Sequence, residues 1–206
     1  MNENCLFYIV SIIVAYFCGA IPIGYIIGKA RGVDIRTVGS KNIGATNVYR
    51  TVGKPWGILA FIGDFLKGFL PTLAVKFVFD DLVYLPVVVG IMTVVGHMFT
   101  CFMKFKGGKV VATGFGMLVA LLPCVVLSAF AVWVVVMLLS HYISLGSIVA
   151  AAYLGVVVWI PISFMNSPGY HNLPQCIVVT IVALASILKH RTNIQRLLAG
   201  NENKIY

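Results

Sequence analysis

Two short stretches concentrate the groups that hold phosphate. Residues 39–50 read GSKNIGATNVYR, and residues 104–113 read KFKGGKVVAT. In the first, Gly39 and Gly44 allow close backbone approach, and Ser40, Asn42, Thr46 and Asn47 carry hydrogen-bonding heads. Arg50 adds a planar cation able to grip phosphate bidentately. In the second, Gly107 and Gly108 lead into Lys109 just before an apolar run, where backbone amides and one lysine can meet an anion at a helix N-terminus. The competing account of the first stretch is an ordinary loop with Ser40 as a helix cap. The second is not a P-loop, because GxxxxGK[ST] fails at Met103 and at Val110.

Other polar residues stand where membrane chemistry makes them costly. Asp64 and Lys67 are three apart, hence on one helix face, and inside an apolar segment they must pair or face a polar cavity. They read as a structural pair that also supports a neighbouring loop. His97, alone in its segment, reads as a hydrogen-bonded structural residue. Ser144 and Ser147 lie in the joint HYISLGS, and the tail offers His190, Arg191, Asn193 and Arg196. Helical spacing puts His190 and Asn193 on one face; the alternative is an interfacial tail helix held by its cations. Neither serine has the partners of a Ser-His-Asp set, which argues against a covalent serine mechanism.

The elements that must carry these residues follow from composition. Of the 206 residues 60% are hydrophobic and 10% charged, and the mean hydropathy is +1.00. The apolar runs match the ~20 residues that cross a hydrocarbon core, so the expected fold is an all-α polytopic membrane protein. No alternating segments suggest a barrel. No polar interval is long enough for a separate soluble domain, so residues 1–206 are expected to form one domain. Cys5, Cys18, Cys101, Cys124 and Cys176 are scattered, giving neither a disulfide frame nor a zinc site. The first apolar stretch lacks a basic lead and reads as a retained span.

Spans are expected at 5–28, 56–79, 83–103, 148–165 and 175–188, with residues 110–140 as an apolar stretch broken by Pro123. The segment 166–174, NSPGYHNLP, reads as a turn-rich loop. The net charge of +9 has a topological cause: every Lys and Arg except Lys67 and Lys76 falls in 29–54, in 104–109 or in the tail. No basic stripe is left for nucleic acid. The positive-inside bias puts the N-terminus outside and the tail in the cytoplasm. At about 1.5 Å per residue, 110–140 is too long for one upright helix and too short for two full spans. Only a helical hairpin around Pro123 keeps all basic loops on one side. Seven membrane helices are therefore expected, two of them short, with the polar motif loops on the cytoplasmic face.

Together these residues resemble the bacterial membrane acyl-phosphate:glycerol-3-phosphate acyltransferase family. The resemblance rests on GSKNIGATNVYR, on Asp64, Lys67, Gly68 and Pro71, on Gly96–His97 followed by FKGGKVVAT, on ISLGS, and on HRTNIQRLLAGNENK. The family usually has glycine where Lys41 and Val110 stand, and arginine where His141 stands. The resemblance implies acyl transfer from an acyl phosphate to the 1-hydroxyl of sn-glycerol 3-phosphate, giving lysophosphatidic acid and phosphate. It assigns Lys109, Ser147, His190 and Asn193 to catalysis, and Ser40, Asn42, Gly44, Thr46, Asn47, Arg50, Gly107 and Gly108 to substrate binding. Asp64, Lys67 and His97 support them. No metal or cofactor is called for, and the expected partners are the two substrates and membrane lipid. A monomer in the bacterial inner membrane is expected.

The chemistry agrees on its own terms, since two phosphate-bearing substrates want two cationic cradles. The H-x4-D base of other acyltransferases is absent: Phe102, Gly146 and Gln195 stand five residues after His97, His141 and His190. The leaving phosphate can take the hydroxyl proton instead. The other class considered is a transporter or channel for a phosphorylated anion. Against it, the cations crowd one face. A metal-dependent phosphotransferase would need more aspartates than Asp34, Asp64, Asp80 and Asp81.

Overall fold

The computed structural model describes residues 3–79, 81–160 and 173–205, and among them the only regular structure is helical. Asp80, the end of the expected span 148–165 and most of the loop 166–174 lie outside the described residues. Two compact units divide the chain, Met1–Leu121 and Leu122–Tyr206. Exposure is inverted relative to a soluble protein. Phe77 is 76% and Leu139 80% exposed, whereas Asp64 and His190 are each 3% exposed. Apolar surface facing outward with ionisable groups inside is the pattern a bilayer imposes.

In the first unit, α1 (Glu3–Ala20) and α2 (Ile23–Ala30) together form a stretch long and apolar enough to cross a membrane. The expected single span is broken at Ile21–Pro22, because proline supplies no N–H and disfavours helix in the residue before it. The interruption exposes the Ala20 and Ile21 carbonyls. Thr100 Oγ1 donates to the first at 2.6 Å, and Lys67 Nζ to the second at 2.9 Å. A short helix, α3 (Ala45–Thr51), leads into the 25-residue α4 (Lys54–Val78). Pro71 lies inside α4 and leaves the Lys67 carbonyl without its helical donor. Cys18 Sγ lies 3.9 Å from that oxygen as a weak substitute.

After α5 (Leu85–Met98) and a 3-10 turn at Cys101–Met103 comes α6 (Val111–Leu121), only 11 residues long. It runs parallel to α4. Gly68 abuts Thr113, Gly116 abuts Phe65, and Lys76 Nζ donates to the Ala120 carbonyl at 3.0 Å. The glycines let the two backbones touch, as close helix pairs in lipid require. Lys76, one of the two cations outside the basic loops, thus caps the negative end of α6. Because Val111 stands near the level of Asp64, the loop before α6 reaches about 15 Å along α4 from Lys54, at 1.5 Å per residue.

The second unit holds α7 (Pro123–Ser140), α8 (Ile143–Val157), α9 (Leu173–Lys189) and α10 (Arg191–Leu198). Pro123 starts α7, where its missing N–H costs nothing. At 18 residues α7 is long enough to cross, so of the two helices around Pro123 only α6 is short. Four described stretches meet the length and hydropathy of a span, and a fifth does if α9 and α10, bent by 54°, count as one. His141 ends α7 at φ 62°, and α8 starts at Ile143, several residues before the expected span. Ser144 and Ser147 therefore sit on a helix rather than in a joint. They fall on its buried side, where small polar groups escape a hydropathy window.

Candidate active site

The first cationic loop is built around Asn47. Its Oδ1 accepts the Ser40 N–H at 2.9 Å, and its Nδ2 donates to the Ile35 and Val38 carbonyls at 2.8 and 3.2 Å. Asn47 is buried, so it shapes the loop from within instead of reaching outward. Gly39, at φ 58°, has no room for a Cβ against the Asn47 carboxamide. Asn42 Oδ1 accepts the Gly44 N–H at 2.8 Å, and Gly44, not Ser40, precedes the first turn of α3. Lys41 adopts φ 58°, a left-handed conformation that favours glycine.

Nearby charges are already engaged. Asp34 pairs with Arg36 at 2.7 Å and Lys29 at 3.7 Å, and the hydrogen bonds from Arg36 hold its carboxyl well below the usual carboxylate range. Arg31 lies over the Trp56 ring, and Arg36 over Tyr25. Ser40, Thr46 and Arg50 are half-buried along the remaining edge, with Arg50 in the last turn of α3.

The second loop differs from its expected use. Gly107 N–H donates to the Met98 carbonyl at 3.2 Å, and Gly108 N–H to the His97 carbonyl at 3.1 Å. These amides close the end of α5 and are not turned to an anion. The glycines serve packing: a Cβ on Gly107 would strike the His97 carbonyl, and one on Gly108 the imidazole. Lys109 follows these glycines, and the leading N–H groups in the first turn of α6 have no acceptor within the helix. Val110 is buried at φ 76°, a strained conformation for a β-branched residue.

Beneath this loop the expected Asp64–Lys67 pair forms, with Lys67 Nζ 2.8 Å from Asp64 Oδ1. His97 Nδ1 lies 3.7 Å from the same oxygen. Ile43, from the first loop, lines the same tight space as Asp64, Lys67, His97 and Thr100. The two cationic loops of the first unit thus converge on one buried cluster at the break between α1 and α2.

In the second unit α7 and α8 are antiparallel, since Trp133 meets Gly146 and Ser147 while Tyr153 meets Ser128. α9 returns along α8, and so His190 and Asn193 arrive at the end that carries Ser144 and Ser147. Ser147 Oγ donates to the Ile143 carbonyl at 2.9 Å and accepts from Trp133 Nε1 at 3.2 Å. Together these contacts fix the orientation of the hydroxyl. His190 Nδ1 lies 2.8 Å from the Ser186 carbonyl. A carbonyl only accepts, so Nδ1 carries a proton.

Glu202 was not among the expected site residues. Its Oε1 accepts from Ser144 Oγ at 2.9 Å and Asn193 Nδ2 at 2.7 Å, and its Oε2 from Arg196 Nε at 2.6 Å. The available signal was a lone acid in a cationic tail. Burial pushes the Glu202 carboxyl up, but bonds from Arg196, Asn193 and Ser144 outweigh it and leave the pKa below its ordinary value. Its stabilisation is therefore present above the unfolded-state pKa and lost as pH falls through the depressed folded value. Glu202→Gln should lower stability by about 1–3 kcal/mol at neutral pH. The difference from the parent should shrink on acidification, as read by thermal unfolding in detergent. A constant difference across pH would exclude the carboxylate as its source.

Residues 9–200 match the family described as Glycerol-3-phosphate acyltransferase. The chain belongs to the glycerol-3-phosphate acyltransferase family. It is 44% identical over 191 residues to the Glycerol-3-phosphate acyltransferase of Trichlorobacter lovleyi, covering 92% of this chain and 93% of the relative. It is 45% identical over 202 residues to that of Endomicrobium trichonymphae, covering 97% and 96%. Among solved structures it is similar to PlsY (YgiH), an integral membrane glycerol 3-phosphate acyltransferase, in its glycerol 3-phosphate form. There the TM-score is 0.87, with 39% identity and 97% and 96% of the two chains covered. The lysophosphatidic acid form of PlsY gives a TM-score of 0.84 at 38% identity, covering 97% and 95%. The resemblance drawn from the motifs is borne out, and the protein is an integral membrane acyltransferase.

Proposed function

We propose that this chain transfers a fatty acyl group from acyl phosphate to the 1-hydroxyl of sn-glycerol 3-phosphate. The observation that carries the donor assignment is Lys109 two residues before Val111, the first residue of α6, a cation beside a helix N-terminus whose leading N–H groups find no acceptor within the helix. The hydroxyl oxygen attacks the acyl carbonyl carbon, the bond from that carbon to the phosphate oxygen breaks, and the departing phosphate takes the hydroxyl proton. No metal or redox group enters this balance. Arg50 and the loop edge at Ser40, Asn42, Gly44 and Thr46 bind a second phosphate, with Asn47 holding the loop. Ser147, His190 and Asn193 orient the acceptor. The decisive test is to give the purified protein glycerol 3-phosphate with acyl phosphate, acyl-CoA or acyl carrier protein as donor. Lysophosphatidic acid from acyl phosphate alone is expected. No product, with anion transport in liposomes instead, would favour a transporter.

The whole chain is proposed to act as one domain, a monomer in the bacterial inner membrane, with seven membrane helices and its site open to the cytoplasm. The hairpin at Pro123 draws support from each unit separately. α6 ends level with the far end of α4. In the second unit the tail lies against the α7–α8 joint, with the Ile205 N–H donating to the His141 carbonyl at 2.9 Å and Lys204 over the Tyr142 ring. Ser144 is buried, so the exposed Lys204 is the better reporter for that joint. Single cysteines at Lys106 and Lys204 should label from inside, and one at Asp81 from outside. Labelling of position 204 from outside would sink the hairpin.

His190→Ala separates two mechanisms. If His190 only orients glycerol 3-phosphate, KM for that substrate should rise while the pH–rate profile keeps its shape. If it is the general base, kcat should fall steeply and the acidic limb should disappear. Orientation is expected, because the leaving phosphate can accept the proton.

A further inference from the structure

Asp64, Lys67 and His97 touch neither substrate in the reading above, yet they lie directly under the loop that carries Lys109. Three contacts form a chain. Lys67 Nζ holds Asp64 Oδ1 at 2.8 Å and donates to the Ile21 carbonyl at 2.9 Å, which anchors the pair to the break between α1 and α2. Asp64 Oδ1 faces His97 Nδ1 at 3.7 Å. The opposite edge of the ring, at Nε2 and Cε1, lies where a Cβ on Gly108 would fall. Asp64, Lys67 and His97 are 3–5% exposed. The ring packs directly against Gly108, so its movement is passed to the loop backbone.

The loop above is one that needs support. Its amides at Gly107 and Gly108 are bonded to the two last carbonyls of α5, and Val110 is held in the left-handed region with its side chain buried. A strained residue keeps such a conformation only where its surroundings over-determine it. The ring of His97 occupies the position that decides how close the loop approaches α5.

We propose that His97 is a positioning residue for Lys109: a strut between the Asp64–Lys67 pair and Gly108 that sets where the loop presents its lysine and the first turn of α6. This rests on the reading that Lys109 and that turn hold the donor phosphate. The strut acts through Gly108, so its influence falls on the donor. The acceptor's KM is the internal control. A variant that merely lowers the folded fraction lowers kcat and leaves both KM values where they were.

The test uses full-length protein in detergent, with palmitoyl phosphate and glycerol 3-phosphate varied separately. Gly108→Ala puts a methyl group against the imidazole and should raise KM for palmitoyl phosphate about tenfold or more, with the glycerol 3-phosphate KM unchanged. His97→Ala removes the strut and should raise the same KM. The double variant Gly108→Ala/His97→Ala lets the methyl enter the vacated space and should work better with the donor than Gly108→Ala alone, a coupling of reversed sign. His97→Gln, which keeps the volume and a polar head, should recover part of what His97→Ala loses. Equal rises in both KM values, a changed kcat alone, or a double variant no better than Gly108→Ala would overturn the proposal. So would failure of both His97 variants to fold, since the role would then be structural only. A parent protein that makes no lysophosphatidic acid from palmitoyl phosphate defeats the donor reading itself. With an active parent, the variants test the strut alone.

Discussion

Lys109→Ala should lower kcat/KM for acyl phosphate by about ten- to a hundred-fold. The estimate follows from a charge-assisted contact worth about 1.5–3 kcal/mol, at about 1.36 kcal/mol per decade. Lys104 and Lys106, in the same loop, supply the control. Both are exposed, and an exposed cation contributes at most ~1 kcal/mol, so alanine there should change the rate by about fivefold at most. The contrast matters because a nonspecific cationic surface would lose similar activity at all three positions. Lys109 is half-buried and stands two residues before the start of α6 at Val111. If Lys106→Ala proves as damaging as Lys109→Ala, the anion site is a diffuse patch and not this turn.

That asymmetry is legible in the sequence, but only in part. A lysine after two glycines ahead of an apolar run marks a helix start, and α6 begins at Val111. The task of the glycines was not legible. Sequence does not distinguish a glycine that frees an amide for phosphate from one that makes room for a neighbouring ring, and Gly108 belongs to the second kind. The Asp64–Lys67 pair was readable because helical spacing fixes which residues share a face. His97 joins them from another helix, and no local pattern encodes that meeting.

The membrane spans show the same division. Hydropathy located the long helices, whose signal is an uninterrupted run. It missed the break at Pro22, since the apolar run continues past the proline. It also placed the start of α8 too late, because Ser144, Gly146 and Ser147 lower the local hydropathy while facing the interior. Glu202 escaped notice as a site residue because its partners Ser144, Asn193 and Arg196 are assembled by the return of α9 along α8. Lys41, Val110 and His141 share a backbone feature. All three adopt positive φ, at 58°, 76° and 62°. Glycine is the residue that this conformation suits.

The largest stability effect is expected at Lys67. Lys67→Met keeps a long side chain but leaves the Asp64 carboxylate and the Ile21 carbonyl without their cation. Removing one partner of a buried ion pair costs about 3–5 kcal/mol, because the remaining charge stays desolvated. The variant should therefore melt far below the parent in detergent, and its yield should fall. The cost arises from Asp64, so Asp64→Asn in the same chain should restore part of the stability, with a coupling of about 0.5–3 kcal/mol. Lys76→Met is the comparison, since Lys76 donates to the Ala120 carbonyl. It should cost less, about 1–3 kcal/mol for a lost charge-assisted bond. Equal melting of parent and Lys67→Met would mean that the Asp64 carboxylate loses nothing with its partner, and the stabilising ion pair beneath the lysine loop would have to be abandoned.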